Sequence, residues 1–451
     1  MKERARNGAA NLLEDHIFQF DFLNDSFDKL PPRLREIIDD EEKRRRLVIY
    51  INPPYAEAAT TTQKTGSGRN KAKVADTQVA RRLKEGLGPA SNELFAQFLM
   101  RAYTDIPLSV LANFSKLKNL QAPNFHVFRK HFQARLARIF LVPASLFDNV
   151  KGFFPIGFFI WRTAEKEVFT SIKADVYDRE LTLTGRRNLY APPVGGLLMD
   201  WLKTLHDKEG ERIAYLRMLG SDVQNNAGVF ITNTPSESDL KQRKTCNITR
   251  NNLLGTAVYF AVRMVVDTTW VNDRDQYLFP QPGWSDDRLF QADCLAYTLF
   301  SGQNRINAAG GVNYWIPFTE EEVDARDSFR SHFMSDFISG RKRHVKNSNS
   351  WVVETDNAPL EFSEEAKAVL DAGRELWRYY HAQEDADPDA SFYDIKMYFQ
   401  GTKVSKSGKV QMRPDSDDAH YTELIGALRS ALKALAAKIE PKVYEHGFLK
   451  R

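Results

Sequence analysis

The run Leu47-Val48-Ile49-Tyr50-Ile51 is apolar at every position and halts at Asn52-Pro53-Pro54-Tyr55, and this junction constrains the fold more than any other stretch of the chain. A strand with one wet face alternates apolar with polar residues. One that is apolar throughout belongs in a sheet covered on both faces, the habit of parallel sheets. Proline lacks the ladder N–H and disfavours helix in the residue before it, so the strand ends there. Upstream, Ile17 to Leu23 reads as a short strand and Pro32 to Arg45 as a polar helix, which makes a βα alternation. The expected fold class is α/β, with the tetrapeptide at the carboxyl edge of the sheet, where open α/β folds bind ligands.

The pattern continues for about 170 residues. Ala59 to Lys73 (ATTTQKTGSGRNKAK) is small, polar and basic and reads as a loop. Ser91 to Tyr103 is spaced as an amphipathic helix that opens on a capping serine, and Phe125 to Phe132 as another helix. Leu108 to Asn113, Ile139 to Val142 and Gly157 to Trp161 read as strands. From 171 to 350 the chain is irregular and rich in Asn, Gly and aromatic residues around one apolar segment, Leu253 to Val266. Two helices, Ser363 to His381 and Ala419 to Ile439, occupy the last hundred residues. The expected division is 1–170, a Rossmann-like sheet; 171–350, a mixed α+β recognition region; and 351–451, a helical region.

Composition narrows the function classes. Of 451 residues, 42% are hydrophobic and 27% charged, the profile of a globular protein rather than a disordered or fibrous one. The net charge is only +4, so any contact with nucleic acid must come from local clusters of Lys and Arg. Cys246 and Cys294 stand far apart and outside any CxxC spacing, which argues against a zinc site or a disulfide framework and for a reducing compartment, the cytosol. The longest apolar run, Phe153 to Trp161, is too short to span a bilayer, so no membrane role is expected.

The tetrapeptide also suits one kind of chemistry. The exocyclic amine of adenine is a poor nucleophile because its lone pair is delocalised into the ring, and acceptors aimed at its hydrogens localise that pair. The Asn52 side-chain oxygen and the Pro53 carbonyl are such acceptors, Pro54 fixes the backbone that aims them, and Tyr55 offers a face for the base. Average residue usage gives Asn-Pro-Pro-Tyr a chance occurrence on the order of one per thousand chains of this length.

On these residues the sequence resembles the amino-methyltransferases of DNA that act on adenine N6, with motifs ordered as in the gamma type of restriction-modification enzymes. The resemblance implies a double-stranded DNA substrate, a target adenine flipped out of the duplex, and S-adenosylmethionine as cofactor. Phe20-Asp21-Phe22-Leu23 resembles the strand-end motif whose Asp and aromatic residue contact the cofactor's adenine ring, so Asp21 and Phe22 inherit that role. Val150 to Phe158 resembles the motif in which an aromatic residue packs on the flipped base opposite the tyrosine. Phe154 is the candidate there and Phe153 the fallback. Lys64, Arg69, Lys71 and Lys73, in the loop after the tetrapeptide, are candidates for phosphate contacts. Arg341 to His344 and Gly401 to Lys409 are further basic runs. Asn225-Asn226, Asn251-Asn252 and Gln303-Asn304 offer amides of the kind that read bases.

The resemblance begins in the middle of the family's catalytic domain. Relatives place a glycine-rich turn after a first strand, followed by an acidic residue, to hold the cofactor. Gly66-Ser67-Gly68, Gly195-Gly196 and Gly310-Gly311 each lack the preceding apolar strand. The expectation is a truncated or split enzyme that takes the cofactor motif from a polypeptide encoded upstream, with an exposed apolar sheet edge inviting association. The alternatives are a non-catalytic DNA-recognition subunit or degenerate fragment, and an RNA or protein amino-methyltransferase.

Overall fold

In the computed structural model the described residues are 16–53, 76–147, 152–192, 195–340, 343–347, 350–354, 358–405, 408 and 410–451. The chain forms two compact units. The first comprises residues up to Pro192 together with Thr269–Arg274, and the second comprises Pro193–Thr268 and Asp275–Arg451.

The first unit is built on a six-stranded mixed sheet in the order β1-β2-β4-β3-β5-β6. Its strands are β1 (Val48–Ile51), β2 (Val110–Lys116), β3 (Ala134–Pro143), β4 (Pro155–Lys166), β5 (Ser171–Tyr177) and β6 (Leu183–Tyr190). β1 runs parallel to β2, and β3 parallel to β5; the other pairings are antiparallel. The fold class is thus α/β, but the all-parallel sheet read from the apolar runs is corrected. β3 and β4 form an antiparallel pair, and the return strand β4 inserts between β2 and β3, which splits the parallel set.

One face of this sheet is sealed. Ile49, Ile51, Leu111, Phe159 and Trp161 lie against α2 (Leu94–Asp105) and α3 (His126–His131), whose Phe95, Leu99 and Phe128 are buried. The apolar spacing of Leu94, Phe95, Leu99, Met100 and Ala102 turns one stripe of the helix inward. The helix begins three residues later than Ser91, because Gly88–Asn92 forms a tight 3₁₀ turn before it. On the sheet's other face the side chains alternate outward, and Val48 and Tyr50 are each 62% exposed. Among the described residues β1 has a single neighbour, β2.

The strand expected over Ile17 to Leu23 is absent, and the segment instead ends in a turn over Phe22 to Asn24. The polar helix expected over Pro32 to Arg45 divides into α1 (Pro32–Asp39) and a short turn of helix, Glu41–Arg45. Asp40 stops the first by adopting an extended conformation, and its side chain caps the second by accepting from the Lys43 amide.

The second unit packs helices around a three-stranded antiparallel sheet, β8-β7-β9, made of β7 (Arg212–Arg217), β8 (Phe230–Thr232) and β9 (Thr245–Thr249). The apolar segment from Leu253 becomes α4 (Leu253–Met264), buried on nearly every side. Around it stand α5 (Arg288–Phe300), α6 (Glu364–His381), α7 (Phe392–Gln400) and α8 (Ala419–Glu445). A Cβ on Gly373 of α6 would lie 2.2 Å from the Phe300 ring of α5, so the glycine sets how closely the two helices approach. Cys246 and Cys294 are buried core residues. Two short hairpins, β10-β11 (Arg343–Asn347 and Ser350–Glu354) and β12-β13 (Thr402–Val404 and Val410–Met412), complete the unit.

The expected boundaries at 170 and 350 differ from these units. β5 and β6 extend the first sheet to Tyr190, and the C-terminal helices share one apolar core with α4 and α5. Among the described residues no helix is long and apolar enough to cross a membrane.

Candidate functional site

The register of the first sheet fixes where the sequence-derived candidates stand. Ile51 pairs with Asn113, and Asn113 with Phe159, so Asn52 follows the carboxyl end of β1 at the level of Phe158. Asn52 is exposed and Pro53 buried, as expected where a strand delivers one side chain outward and anchors the next ring. Pro54, Tyr55, Lys64, Arg69, Lys71 and Lys73 lie outside the described residues, as does Gly66-Ser67-Gly68.

Beside this end runs a buried polar line that sequence reading missed. The Trp161 indole donates to Asn113 Oδ1 at 3.1 Å, and Asn113 Nδ2 donates to Ser115 Oγ at 3.1 Å. Asn113 and Ser115 are fully buried. Their hydrogen bonds are of the kind that rigidifies a sheet when its buried polar atoms are satisfied. A lone Asn and Ser within an apolar strand give no sign of this in the sequence.

Phe154 precedes β4 at the same edge of the sheet, since Ile156 pairs with Lys116 at the end of β2. It lies four residues before Phe158, which is about 13 Å along the strand at about 3.3 Å per residue. It therefore shares the edge with Asn52 without abutting it. Phe158, half-buried, is the aromatic residue level with Asn52, and its ring lies 6.2 Å from Tyr50 and 4.7 Å from Phe114. Phe154 has cations on its ring, Lys116 at 5.9 Å and Arg274 at 5.7 Å. With Phe153, Pro143, Arg179 and Trp270 it lines a cavity of about 260 Å³. That volume is just under the lower end, about 300 Å³, of small-molecule sites. Trp270 and Arg274 reach this region from the segment Thr269–Arg274, which no local pattern assigns to the first unit.

Asp21 and Phe22 are each tied to neighbouring residues of their own unit. The Asp21 carboxylate accepts from the Leu23 and Asn24 amides at 3.0 and 3.2 Å and from Asn24 Nδ2 at 2.9 Å. Phe22 stacks on Phe98 at 5.3 Å, and the Arg101 guanidinium lies 5.1 Å from its ring. Arg101 in turn donates to the Phe22 and Asp25 carbonyls. A cavity of about 360 Å³ opens beside this turn, lined by Asn24, Asp25, Arg82, Arg101 and Asp105, but neither Asp21 nor Phe22 lines it.

The later helix expected around Arg129 is a packing element. Burial holds the Arg129 guanidinium down to about 10, and it donates to the Asn119 and Ala122 carbonyls. The amides offered for base reading are largely committed. Asn226 donates to the Tyr277 hydroxyl and accepts from Arg263, Asn252 donates to the Leu205 and Asn247 carbonyls, and Asn304 donates to the Thr298 and Leu299 carbonyls. All three are buried. The second unit's cavity of about 560 Å³ contains Asp207, held down to about 2 chiefly by the Thr249 hydroxyl and by the Gly210 and Glu209 amides. That carboxylate is already spent on the chain's own loop.

These elements define an α/β protein with a sheet-edge site that combines an exposed amide, a proline anchor and an aromatic strip. No protein-family model matches the chain, and no curated protein matches it. Among solved structures it is similar to the ATP-dependent Type ISP restriction-modification enzyme LlaBIII bound to DNA, at 11% identity and a TM-score of 0.22. The likeness covers 50% of this chain and 18% of that one, and at that score it carries no weight for fold or function.

Proposed function

We propose that this chain is the base-holding part of an adenine-N6 DNA methyltransferase of a restriction-modification system, which takes its methyl group from S-adenosylmethionine. The observation that carries the reading is Asn52-Pro53 at the carboxyl end of a parallel strand, with Asn52 exposed and Pro53 buried. In this role the Asn52 amide oxygen and the Pro53 carbonyl accept the two hydrogens of the adenine amine and concentrate its lone pair toward the incoming carbon. Tyr55 packs on the flipped base, and the aromatic strip of Phe158 and Phe154 provides an apolar wall for it. When bound, the cofactor supplies an electrophilic methyl group.

Because Asp21 and Phe22 are engaged within their own turn, this reading assigns the cofactor's main contacts to a separate polypeptide encoded upstream. Among the described residues β1 pairs with β2 alone, and this together with the exposed Val48 and Tyr50 favours such an association.

Methyl transfer to duplex DNA, measured with and without the upstream polypeptide, tests the proposal. Transfer is expected only in the mixture, and Asn52→Ala is expected to lower it at least about 100-fold, the usual cost of losing one such polar contact to the reacting group. Unchanged transfer by Asn52→Ala removes the assignment. The engaged state of Asp21 favours a second reading, a non-catalytic DNA-recognition subunit. That reading predicts DNA binding with neither transfer in the mixture nor heat on titration with S-adenosylmethionine.

A further inference from the structure

We propose that the hairpin β12-β13 of the second unit enters the major groove of duplex DNA with its valine face on the base edges. The choice of duplex DNA rests on the functional reading above; the shape of the ribbon does not.

The ribbon is rooted but not covered. Its root is Phe399 near the end of α7, which stacks on Tyr379 of α6 at 5.3 Å and on Tyr421 of α8 at 4.7 Å. A clamp follows: the Gln400 side chain donates to the Pro414 carbonyl at 3.3 Å, the Arg413 amide donates to the Gly401 carbonyl at 3.0 Å, and Arg413 pairs with Asp417 at 3.0 Å. Beyond the clamp Thr402, Lys403, Val404, Val410 and Gln411 are all exposed. Val404 is 71% and Val410 68% exposed, more than any other large apolar side chain among the described residues. A lone two-stranded hairpin is at best marginally stable in water, so the clamp supplies its order and leaves the apolar side chains for a partner.

The register sorts those side chains into two faces. Thr402 pairs with Met412, Lys403 with Gln411 and Val404 with Val410, and side chains directly opposite one another share a face. Alternation along each strand puts Thr402, Val404, Val410 and Met412 on one face and Lys403 and Gln411 on the other.

Charge and size select the partner. From Thr402 to Met412 the sequence has three lysines and no acidic residue. Among the described residues Lys403 has no carboxylate oxygen within 4.0 Å. A major groove about 12 Å wide admits a two-stranded ribbon, whose strands lie about 4.8 Å apart. Its floor exposes thymine methyl groups, which the two valines cover, and its walls are phosphates within reach of the flexible Lys403 stem. The major groove of duplex RNA is too deep and narrow for side chains to read.

The test uses the full chain and fluorescence anisotropy with a DNA duplex of alternating A·T pairs, and with a copy in which deoxyuridine replaces thymidine, so that only methyl groups are lost. The parent is expected to bind the methyl-free copy about fourfold more weakly, the value of burying one such group. The double variant Val404→Thr, Val410→Thr keeps the β-branched shape of both strands and is expected to bind the two duplexes alike, at the weaker affinity. Lys403→Gln is expected to lower the slope of log affinity against log salt by about 1. Equal binding of both duplexes by the parent overturns the proposal, and because the change is then in the DNA, that result does not depend on how a variant folds. Absence of duplex binding by the parent, or tighter binding of duplex RNA, overturns it as well. Weakened association of the double variant with the upstream polypeptide, with duplex binding unchanged, overturns it in favour of a protein partner. Methyl transfer is read separately: a mixture that transfers no methyl group but gives the expected duplex results supports the ribbon and removes only the functional reading.

Discussion

The first unit leaves Val48 and Tyr50 of a strand 62% exposed, whereas the second buries a whole guanidinium, Arg263, at 0%. Arg263 donates to the Leu219, Gly220 and Asp222 carbonyls, to Asn226 Oδ1 and to the Tyr259 hydroxyl, and among the described residues no carboxylate oxygen lies within 4.0 Å of it. It ties the loop before β8 to α4. The second unit thus spends much of its polar chemistry on its own scaffold, while in the first, among the described residues, β1 pairs with β2 alone and carries exposed apolar side chains. Exposure of apolar area costs about 25 cal/mol per Å². An open strand of this kind is therefore a better pointer to a partner than any satisfied cluster in the other unit.

The largest effect that this contrast predicts is at Arg263. Arg263→Leu conserves apolar bulk but strands three backbone carbonyls, each costing about 1–3 kcal/mol when buried without a donor. A loss of at least about 3 kcal/mol by denaturant unfolding is expected. A loss under 1 kcal/mol would mean that water reaches the loop and that the unit is less closed than its burial indicates.

A smaller effect is expected at Lys396, and its sign runs opposite to the usual lysine. The folded-state value, about 8, lies below the ordinary 10.5, so between those values the folded protein holds fewer protons than the unfolded chain. Stability from this group therefore rises as pH climbs from about 8 to about 10.5, and the penalty is fully present below about 8. Lys396→Met removes the penalty. The variant is expected to exceed the parent by on the order of 1 kcal/mol at pH 7, after discounting for solvent screening, and to lose that advantage near pH 10. An advantage that does not change with pH would point to packing rather than charge.

What the sequence disclosed follows from which forces are local. The strands β1 to β4 and the helices α2, α6 and α8 were readable because continuous apolar runs and 3.6-residue spacing act within a few residues, whereas Leu253 to Val266 showed only as an apolar segment without an assigned form. Ile17 to Leu23 looked like a strand by the same rule, but the Asp21 carboxylate captures the two amides that follow and folds the segment into a turn. Asn226, Asn252 and Asn304 looked available because burial is a property of the tertiary fold, not of the dipeptide. Asn52-Pro53 was legible because strand termination by proline is itself local.

The smallest expected effect on stability belongs to the residues with which the comparison began. Val48→Thr keeps a β-branched side chain on the strand and removes a methyl that is mostly in water, so unfolding of the chain alone is expected to change by less than about 0.5 kcal/mol. Tyr50→Thr also gives up its contacts with Phe114 at 6.5 Å and Phe158 at 6.2 Å, and aromatic pairs of this kind contribute about 0.5–1.5 kcal/mol. It should therefore cost slightly more than Val48→Thr. Association is where both are expected to matter. If the upstream polypeptide covers β1, the double variant weakens its binding by at least tenfold in sedimentation or calorimetry, while unfolding of the isolated chain barely moves. The opposite result, a large loss of stability in the isolated chain with no change in association, would show that the chain itself covers β1. The contrast between an open first unit and a closed second one would then fall.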